Sequence, residues 1–228
     1  MATPSLVYQP RTVDIPFYGK LAMAPIENAP LLVVFGGIPV RESILDPTDK
    51  AHANDMVQSG DYMWKYFTNL RNRFHIFVAY SPKVDGALAY RYLLYTLQWK
   101  GDPPAVCPVD VKTDFSGPYQ ILYLFSGGYK PGIELMNRYS SKLFSSVFLV
   151  DIWMKAGSVS SYYQNFAAAN ADKTYYIHTE FGADNPTARD FITRRLGTAK
   201  APLVSGRVGE KGMQTHMRTN EVAVGNIW

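Results

Sequence analysis

The chain has 228 residues, of which 47% are hydrophobic and 18% charged, so it can bury one hydrophobic core. Its formal net charge is +4, and the basic residues are scattered, which argues against a nucleic-acid binder with Lys and Arg concentrated on one stripe. The single cysteine, Cys107, excludes an internal disulfide and a cysteine-based zinc site. No ligand set for a metal is apparent, and we expect no cofactor.

The N-terminal residues show no basic stretch followed by a long apolar run, so no signal peptide is expected. No apolar run approaches the ~20 residues that are needed to span a bilayer. The sequence therefore predicts a protein without a transmembrane segment, located in the cytoplasm.

The N-terminal half begins with an irregular lead-in over residues 1–30, in which edge strands are expected near Leu6–Tyr8 and Lys20–Met23. The continuous β-branched and aromatic run Leu31–Phe35 then predicts a strand that is buried on both faces. Further elements follow in order: a loop at 41–58, an amphipathic helix at Asp61–Arg71, a strand at Phe74–Tyr80 and an apolar helix at Gly86–Trp99.

The C-terminal half continues the alternation after a turn-rich connection over residues 101–118. A strand ends at Phe125, and later strands are predicted at Ser146–Trp153, Lys173–Thr179 and, as a short strand, Leu203–Val208. Helices are predicted between these strands, at Ile133–Leu143, Val159–Ala169 and Pro186–Leu196. This alternation predicts a three-layer α/β fold, with a mostly parallel central sheet and helices on both faces. We expect one domain over residues 1–228, with residues 159–172 as a small cap.

Ser126 lies where the buried strand gives way to Gly127, Gly128 and a helix. A sharp turn between strand and helix holds a hydroxyl out of the sheet, and glycine permits such a turn. These residues favour a nucleophilic serine, and the competing interpretation is a serine that caps the following helix.

Other polar or glycine residues also follow predicted strands, and ligands of α/β sheets bind beyond the carboxyl ends of the strands. They are Gly36, Gly37, Asp151, Glu180 and Asp184. A carboxylate that closes an apolar strand, as Asp151 does, is costly to bury unless it has a partner. Asp184 precedes Asn185 and Pro186, a pattern that is also typical of a helix N-cap.

Ser126, a later acid and His216 follow one another in the chain order of the α/β-hydrolases, and residues 30–220 resemble that family. The resemblance implies that Ser126 is the nucleophile, that Gly127 and the turn at Gly36 and Gly37 supply oxyanion donors, and that His216 is the base. His216 is expected in a loop. Leu124 departs from the family pattern Gly-x-Ser-x-Gly, because it occupies the position of the first glycine.

The acid has two main candidates within this resemblance. We favour Asp151, with Asp184 as the alternative acid because the family more usually carries its acid in the loop after the next strand. Glu180 is a third candidate. Tyr129 and Trp153 lie just beyond the proposed catalytic positions, where they are expected to line a substrate pocket or to pack in the core.

The resemblance implies a serine esterase or related acyl hydrolase with a Ser-Asp-His triad, an acyl-enzyme intermediate and a small-molecule ester or acyl substrate. The alternative is a catalytically silent α/β-hydrolase-like protein that binds a small molecule or a protein. A nucleotide-binding protein is disfavoured, since neither Gly-x-Gly-x-x-Gly nor a Walker-type Gly-Lys-Ser/Thr follows the first buried strand.

Overall fold

The computed structural model describes residues 11–15, 18–37, 63–80, 84–99, 117–152, 154, 157–180, 185–210 and 212–227. The strands are β1 (Arg11–Ile15), β2 (Gly19–Met23), β3 (Leu31–Phe35), β4 (His75–Ala79), β5 (Gln120–Phe125), β6 (Ser146–Val150) and β7 (Thr174–Ile177). The helices are α1 (Gly86–Trp99), α2 (Tyr129–Tyr139), α3 (Ser158–Ala169), α4 (Pro186–Leu196) and α5 (Gly212–Gly225). Residues 63–67 are also helical and run into a 3₁₀ turn at Thr68–Leu70.

The strands form one seven-stranded sheet in the order β1-β2-β4-β3-β5-β6-β7. β2 pairs antiparallel with β1 and with β4, whereas the pairs from β4 to β7 are all parallel. A parallel bridge between His178 and Leu203 extends the pairing beyond β7. The predicted α/β class with a mostly parallel sheet is confirmed.

Helical elements cover both faces of the sheet, because the central strands are apolar on both sides. On one face, side chains such as Phe35, Leu122 and Leu124 pack with residues of α1 to α4. On the other face, Val34, Tyr123 and Phe125 share a core with the 63–70 segment and α5. The carboxyl ends of β3, β5, β6 and β7 are thereby held side by side in a rigid frame.

Several elements differ from the sequence prediction. β1 was not predicted, and the strand expected over Leu203–Val208 reduces to the single bridge at Leu203. The helix after Ser126 begins at Tyr129, four residues before the predicted start. Leu6–Tyr8, the 41–58 loop and Cys107 lie outside the described residues.

The loop predicted around His216 is wrong, because this residue lies within α5. Apolar periodicity does not predict this helix, because part of its buried face is polar. Residues at i, i+4 and i+8 are buried on this face, namely Thr215, Thr219 and Ala223, and Ile227 just beyond the helix is buried as well. The Thr219 hydroxyl donates to the His216 carbonyl at 2.5 Å, so this polar group is satisfied within the helix itself.

Residues 159–172, proposed as a small cap, contain most of α3. Tyr163, Phe166 and Ala167 of this helix are buried in the core that covers one face of the sheet. Among the described helices, none has the length and apolar character needed to cross a membrane.

Candidate active site

Ser126 occupies a strained corner between β5 and the helix that follows. Its φ of 52° lies in the left-handed region, which a serine rarely adopts, and a 3₁₀ turn over Ser126–Gly128 leads directly into α2. Serine pays a steric cost for this backbone conformation, so the surrounding structure must enforce it. A sharp turn between strand and helix of this kind, or elbow, can present a hydroxyl at the sheet edge.

Two glycines allow the elbow to pack closely. A Cβ atom at Gly128 would overlap with the backbone carbonyl of Phe35 at the end of β3. A Cβ atom at Gly132 would lie 2.5 Å from Cδ1 of Leu124, the residue that replaces the first glycine of the family pattern. The room that the large Leu124 side chain requires is therefore supplied by a missing side chain on α2.

Asp151 occupies an equivalent corner on the adjacent strand. The β5–β6 register pairs Phe125 with Val150, so Ser126 and Asp151 are the next residues of two neighbouring parallel strands. Asp151 also has a left-handed φ, 41°, which aspartate tolerates better than most residues. Its side chain is 1% exposed, so its charge depends on protein partners in place of water.

The partner of this buried carboxylate is His216. Nδ1 of His216 lies 2.6 Å from Oδ2 of Asp151, a short distance typical of a charge-assisted hydrogen bond. An ionised carboxylate can only accept, so the imidazole carries its proton on Nδ1 when it is neutral. That tautomer leaves the lone pair of Nε2 available as a base.

The His216 ring also packs against the serine strand. Phe125, which directly precedes Ser126, stacks on it with the ring centroids 4.6 Å apart. Four residues further along α5, the Asn220 amide oxygen accepts a 2.7 Å hydrogen bond from the buried Tyr123 hydroxyl of β5. Phe125 and Tyr123 thus hold two successive turns of α5 against the strand that carries the serine.

A second polar contact ties the preceding loop to α5. Arg218 donates from Nε and Nη2 to the two carboxylate oxygens of Glu210, at 3.1 Å and 3.0 Å. The Arg207 amide donates to the same carboxylate at 2.7 Å. The hydrogen bonds from Arg218 and Arg207 lower the pKa of Glu210 to about 2, so this contact persists over the ordinary pH range.

The turn after β3 lies beside the elbow. The Gly37 amide donates to the Phe125 carbonyl at 3.2 Å, and Gly37 has a left-handed φ of 63°. A Cβ atom at Gly36 would meet the side chain of Met63, which the helical segment over residues 63–67 packs against this turn. Gly36, Gly37 and Gly127 are therefore close to one another at the end of β3 and β5.

No family model and no curated protein matches the sequence. Among solved structures, the chain is similar to carboxyl esterase 2 from the mycorrhizal fungus Tuber melanosporum, with 13% identity and a TM-score of 0.48, over 100% of this chain and 86% of that chain. It is also similar to a mutant of the N-acyl homoserine lactonase AidH complexed with N-hexanoyl homoserine, with 12% identity and a TM-score of 0.34, over 87% and 78%. Both similarities are too distant to assign a reaction.

The chain resembles the α/β-hydrolases. The mostly parallel sheet, the left-handed serine between strand and helix, and the order serine, acid, histidine support the resemblance. Leu124 occupies the position of the first glycine in that family's pattern, and Gly132 leaves room for its side chain.

The three acid candidates of this α/β-hydrolase-like chain have different surroundings. Asp151 contacts His216, whereas Glu180 is exposed just after β7 and its carbonyl faces Arg189 of α4. Asp184 lies outside the described residues, and Asn185 caps α4 by accepting from the Ala188 amide at 3.1 Å.

Of the two predicted pocket residues, Trp153 lies outside the described residues. Tyr129 is partly buried at the start of α2, and its carbonyl accepts a 2.8 Å hydrogen bond from the fully buried Tyr163 of α3. Within the described residues, no group of three or more His, Cys, Asp and Glu side chains could hold a metal ion.

Sequence reasoning missed two residues that contact Asp151 and His216. Phe125 was assigned only to the buried strand, although its place directly before Ser126 could have indicated that it packs against a side chain of the site. Thr179 was assigned only to the end of a strand, and it donates two kinds of hydrogen bond to Asp151.

Proposed function

We propose that this protein is a serine hydrolase of ester or related acyl bonds, with Ser126 as nucleophile, His216 as general base and Asp151 as the acid of the triad. The observation that carries the proposal is the 2.6 Å contact between His216 and Asp151, a pair that packs beside the elbow of Ser126. The proposal is further supported by the β5–β6 register, which puts Ser126 and Asp151 at the ends of neighbouring strands, and by the residue types, which are those that acyl transfer requires.

The chemistry divides into two halves. His216 Nε2 accepts the hydroxyl proton as Ser126 Oγ attacks the acyl carbon. The same proton then goes to the leaving alcohol, and the acyl group remains on Oγ. Water attacks the acyl-enzyme in turn, again with His216 as base, and releases the acid and the free serine.

Asp151 acts on the imidazole. It fixes the proton of neutral His216 on Nδ1 and stabilises the imidazolium that forms when Nε2 takes the serine proton. Because the carboxylate is buried and hydrogen-bonded, it provides this stabilisation in a site of low polarity, where electrostatic effects are stronger than in water.

The oxyanion donors are proposed to be the Gly127 amide and an amide of the turn at Gly36 and Gly37. Gly127 directly follows the nucleophile, which is the position of one donor in an elbow of this type. The Gly37 amide donates to the Phe125 carbonyl at 3.2 Å, a hydrogen bond that ties this turn to the end of β5. Removal of one oxyanion donor costs about 3 kcal/mol in activation energy. Tyr129 and Trp153 remain the proposed pocket residues.

A serine-directed fluorophosphonate probe tests this proposal. The wild-type protein should be labelled and Ser126→Ala should not. Ser140→Ala is the matched control, because Ser140 is an exposed serine that also has a left-handed φ, 70°, and labelling should persist in it. An unlabelled wild type would support the silent, ligand-binding alternative.

Turnover of a short-chain ester tests the acid. Asp151→Asn keeps the size and the tolerance for a left-handed backbone but removes the charge, so kcat should fall by about 10³- to 10⁴-fold. Asp184→Asn and Glu180→Gln should leave kcat near the wild-type value. A large loss in Asp184→Asn alone would overturn the assignment of Asp151.

A further inference from the structure

The Asp151 carboxylate has a second side-chain partner besides His216. Thr179, two residues beyond β7, donates from its hydroxyl to Oδ2 at 3.0 Å and approaches Oδ1 at 3.2 Å. Its backbone amide donates to Oδ1 at 3.0 Å. We propose that Thr179 is a positioning residue for the acid–base pair, whose hydroxyl aims Oδ2 of Asp151 at His216. The inference rests on the proposed function of this site.

The backbone amide and the hydroxyl of Thr179 restrain the Asp151 carboxylate in different ways. The amide fixes Oδ1, but a carboxylate held at one oxygen can still rotate about its Cβ–Cγ bond. The hydroxyl reaches both oxygens and therefore opposes that rotation. Oδ2, the oxygen that accepts from His216 Nδ1, then has a donor on each side.

Burial makes this hydroxyl hard to replace. Thr179 is 0% exposed and Asp151 is 1% exposed, so water cannot readily substitute for a lost donor. A carboxylate accepts several hydrogen bonds, and a buried one that loses a donor is destabilised more than an exposed one. Removing the hydroxyl should therefore disturb the orientation of Asp151 and, through it, the base.

The backbone around Thr179 is itself fixed. On the far side of β7, the His178 amide donates to the Pro202 carbonyl at 3.3 Å, and the Val204 amide donates to the His178 carbonyl at 2.8 Å. On the near side, the Asp151 amide donates to the Ile177 carbonyl at 2.7 Å. Thr179 is therefore held between the bridge at Leu203 and the end of β6, and it provides a rigid point from which to orient the carboxylate.

The test compares Thr179→Val with Thr179→Ser. Valine keeps the shape and the backbone amide but removes the hydroxyl, whereas serine keeps the hydroxyl and removes the methyl group. We expect kcat to fall by about 10- to 100-fold in Thr179→Val, with KM unchanged because Thr179 has no surface exposed to solvent. Thr179→Ser should restore most of the rate. Equal rates in wild type and Thr179→Val, or equal losses in both variants, would overturn the proposal.

A second measurement does not depend on turnover. The Nδ1 proton of His216 should give a downfield proton NMR resonance that disappears in His216→Gln. The resonance should shift and broaden in Thr179→Val and remain in Thr179→Ser, and an unchanged resonance in Thr179→Val would contradict the proposal. If Thr179→Val fails to fold, Thr179→Ala takes its place in both comparisons. If the wild type shows no labelling by the fluorophosphonate probe, the hydrolase proposal fails while the resonance still tests the role of Thr179.

Discussion

The corner at Ser126 (the serine corner) and the corner at Asp151 (the acid corner) share a left-handed backbone conformation but are stabilised by different interactions. Ser126 and Asp151 each follow a buried parallel strand and each has a left-handed φ. The serine corner depends on close packing of glycines, whereas the acid corner depends on hydrogen bonds to a buried charge. The first should therefore be sensitive to added volume, and the second to lost polar partners.

The largest effect is expected from added volume at Gly128. Alanine there would place a methyl group on the backbone carbonyl of Phe35, which cannot rotate away as a side chain could. We expect Gly128→Ala to lower the free energy of unfolding by about 3 kcal/mol or more, because the elbow and β3 must separate. Urea denaturation measures it. Gly225→Ala is the control, because a Cβ there has open space around it and stability should be nearly unchanged.

The polar contact that holds α5, the helix with His216, against β5 can be removed at Tyr123. Tyr123→Phe removes the hydroxyl that donates to the buried Asn220 and should cost about 1–3 kcal/mol, since an acceptor is left without this donor away from water. In the double variant Tyr123→Phe/Asn220→Leu both polar groups are gone, and part of that loss should be recovered. If thermal denaturation shows the double variant losing as much as the sum of its two single variants, the hydrogen bond is not the cause.

Gly132 leaves space in the serine corner for the Leu124 side chain. Alanine normally favours a helix interior by up to about 1 kcal/mol over glycine, yet a methyl group at this position meets Leu124. We expect Gly132→Ala to be net destabilising by about 1–2 kcal/mol.

The double-mutant cycle with Leu124→Ala identifies the clash. The smaller side chain leaves room for the added methyl group, so Leu124→Ala/Gly132→Ala should be more stable than the sum of its single variants by about 1 kcal/mol. Additive losses would mean that the two positions do not compete for the same space.

Much of the fold could be predicted from the sequence because the central strands are apolar on both faces. The strand at Leu31–Phe35 and the helices at Gly86–Trp99 and Pro186–Leu196 were predicted with their observed limits. The strand predicted over Ser146–Trp153 begins at the predicted residue and ends at Val150. Apolar periodicity succeeds in these cases because burial and apolar character coincide.

The prediction failed at α5, where several of the buried side chains are polar. Thr215, Thr219 and Asn220 are fully buried, and two of these side chains donate to carbonyls of their own helix. A sequence pattern cannot show that the Thr219 and Asn220 side chains find hydrogen-bond acceptors within the helix. Thr179 escaped notice for a related reason, since its importance lies in a contact with Asp151, 28 residues earlier in the chain.

The smallest expected effect is a loss of folding stability at acidic pH, caused by two buried histidines. Burial lowers the pKa of His178; the backbone of Thr179 opposes this change, Arg189 adds to it, and Asp151 and the backbone of Ala201 oppose it. Burial likewise lowers the pKa of His75, whose Nδ1 accepts from the Ala24 amide at 3.1 Å and cannot do so when protonated. Both groups bind protons more weakly in the folded than in the unfolded chain.

Stability should therefore be complete above the unfolded histidine pKa of about 6.5 and should decline as the pH falls below it toward the folded values. Each histidine contributes at most about 1.4 kcal/mol per pH unit within that window. His178→Phe keeps an aromatic ring that can stack on Tyr176, now 4.9 Å from the imidazole, but cannot titrate. Urea denaturation at pH 7.5 and 5.5 should show a smaller loss for this variant than for wild type. If wild type and variant lose equal stability, protonation of His178 does not cause the loss at low pH. The loss would then come from His75 or from another group, and the acid corner would be stabilised by its hydrogen bonds independently of the protonation of His178.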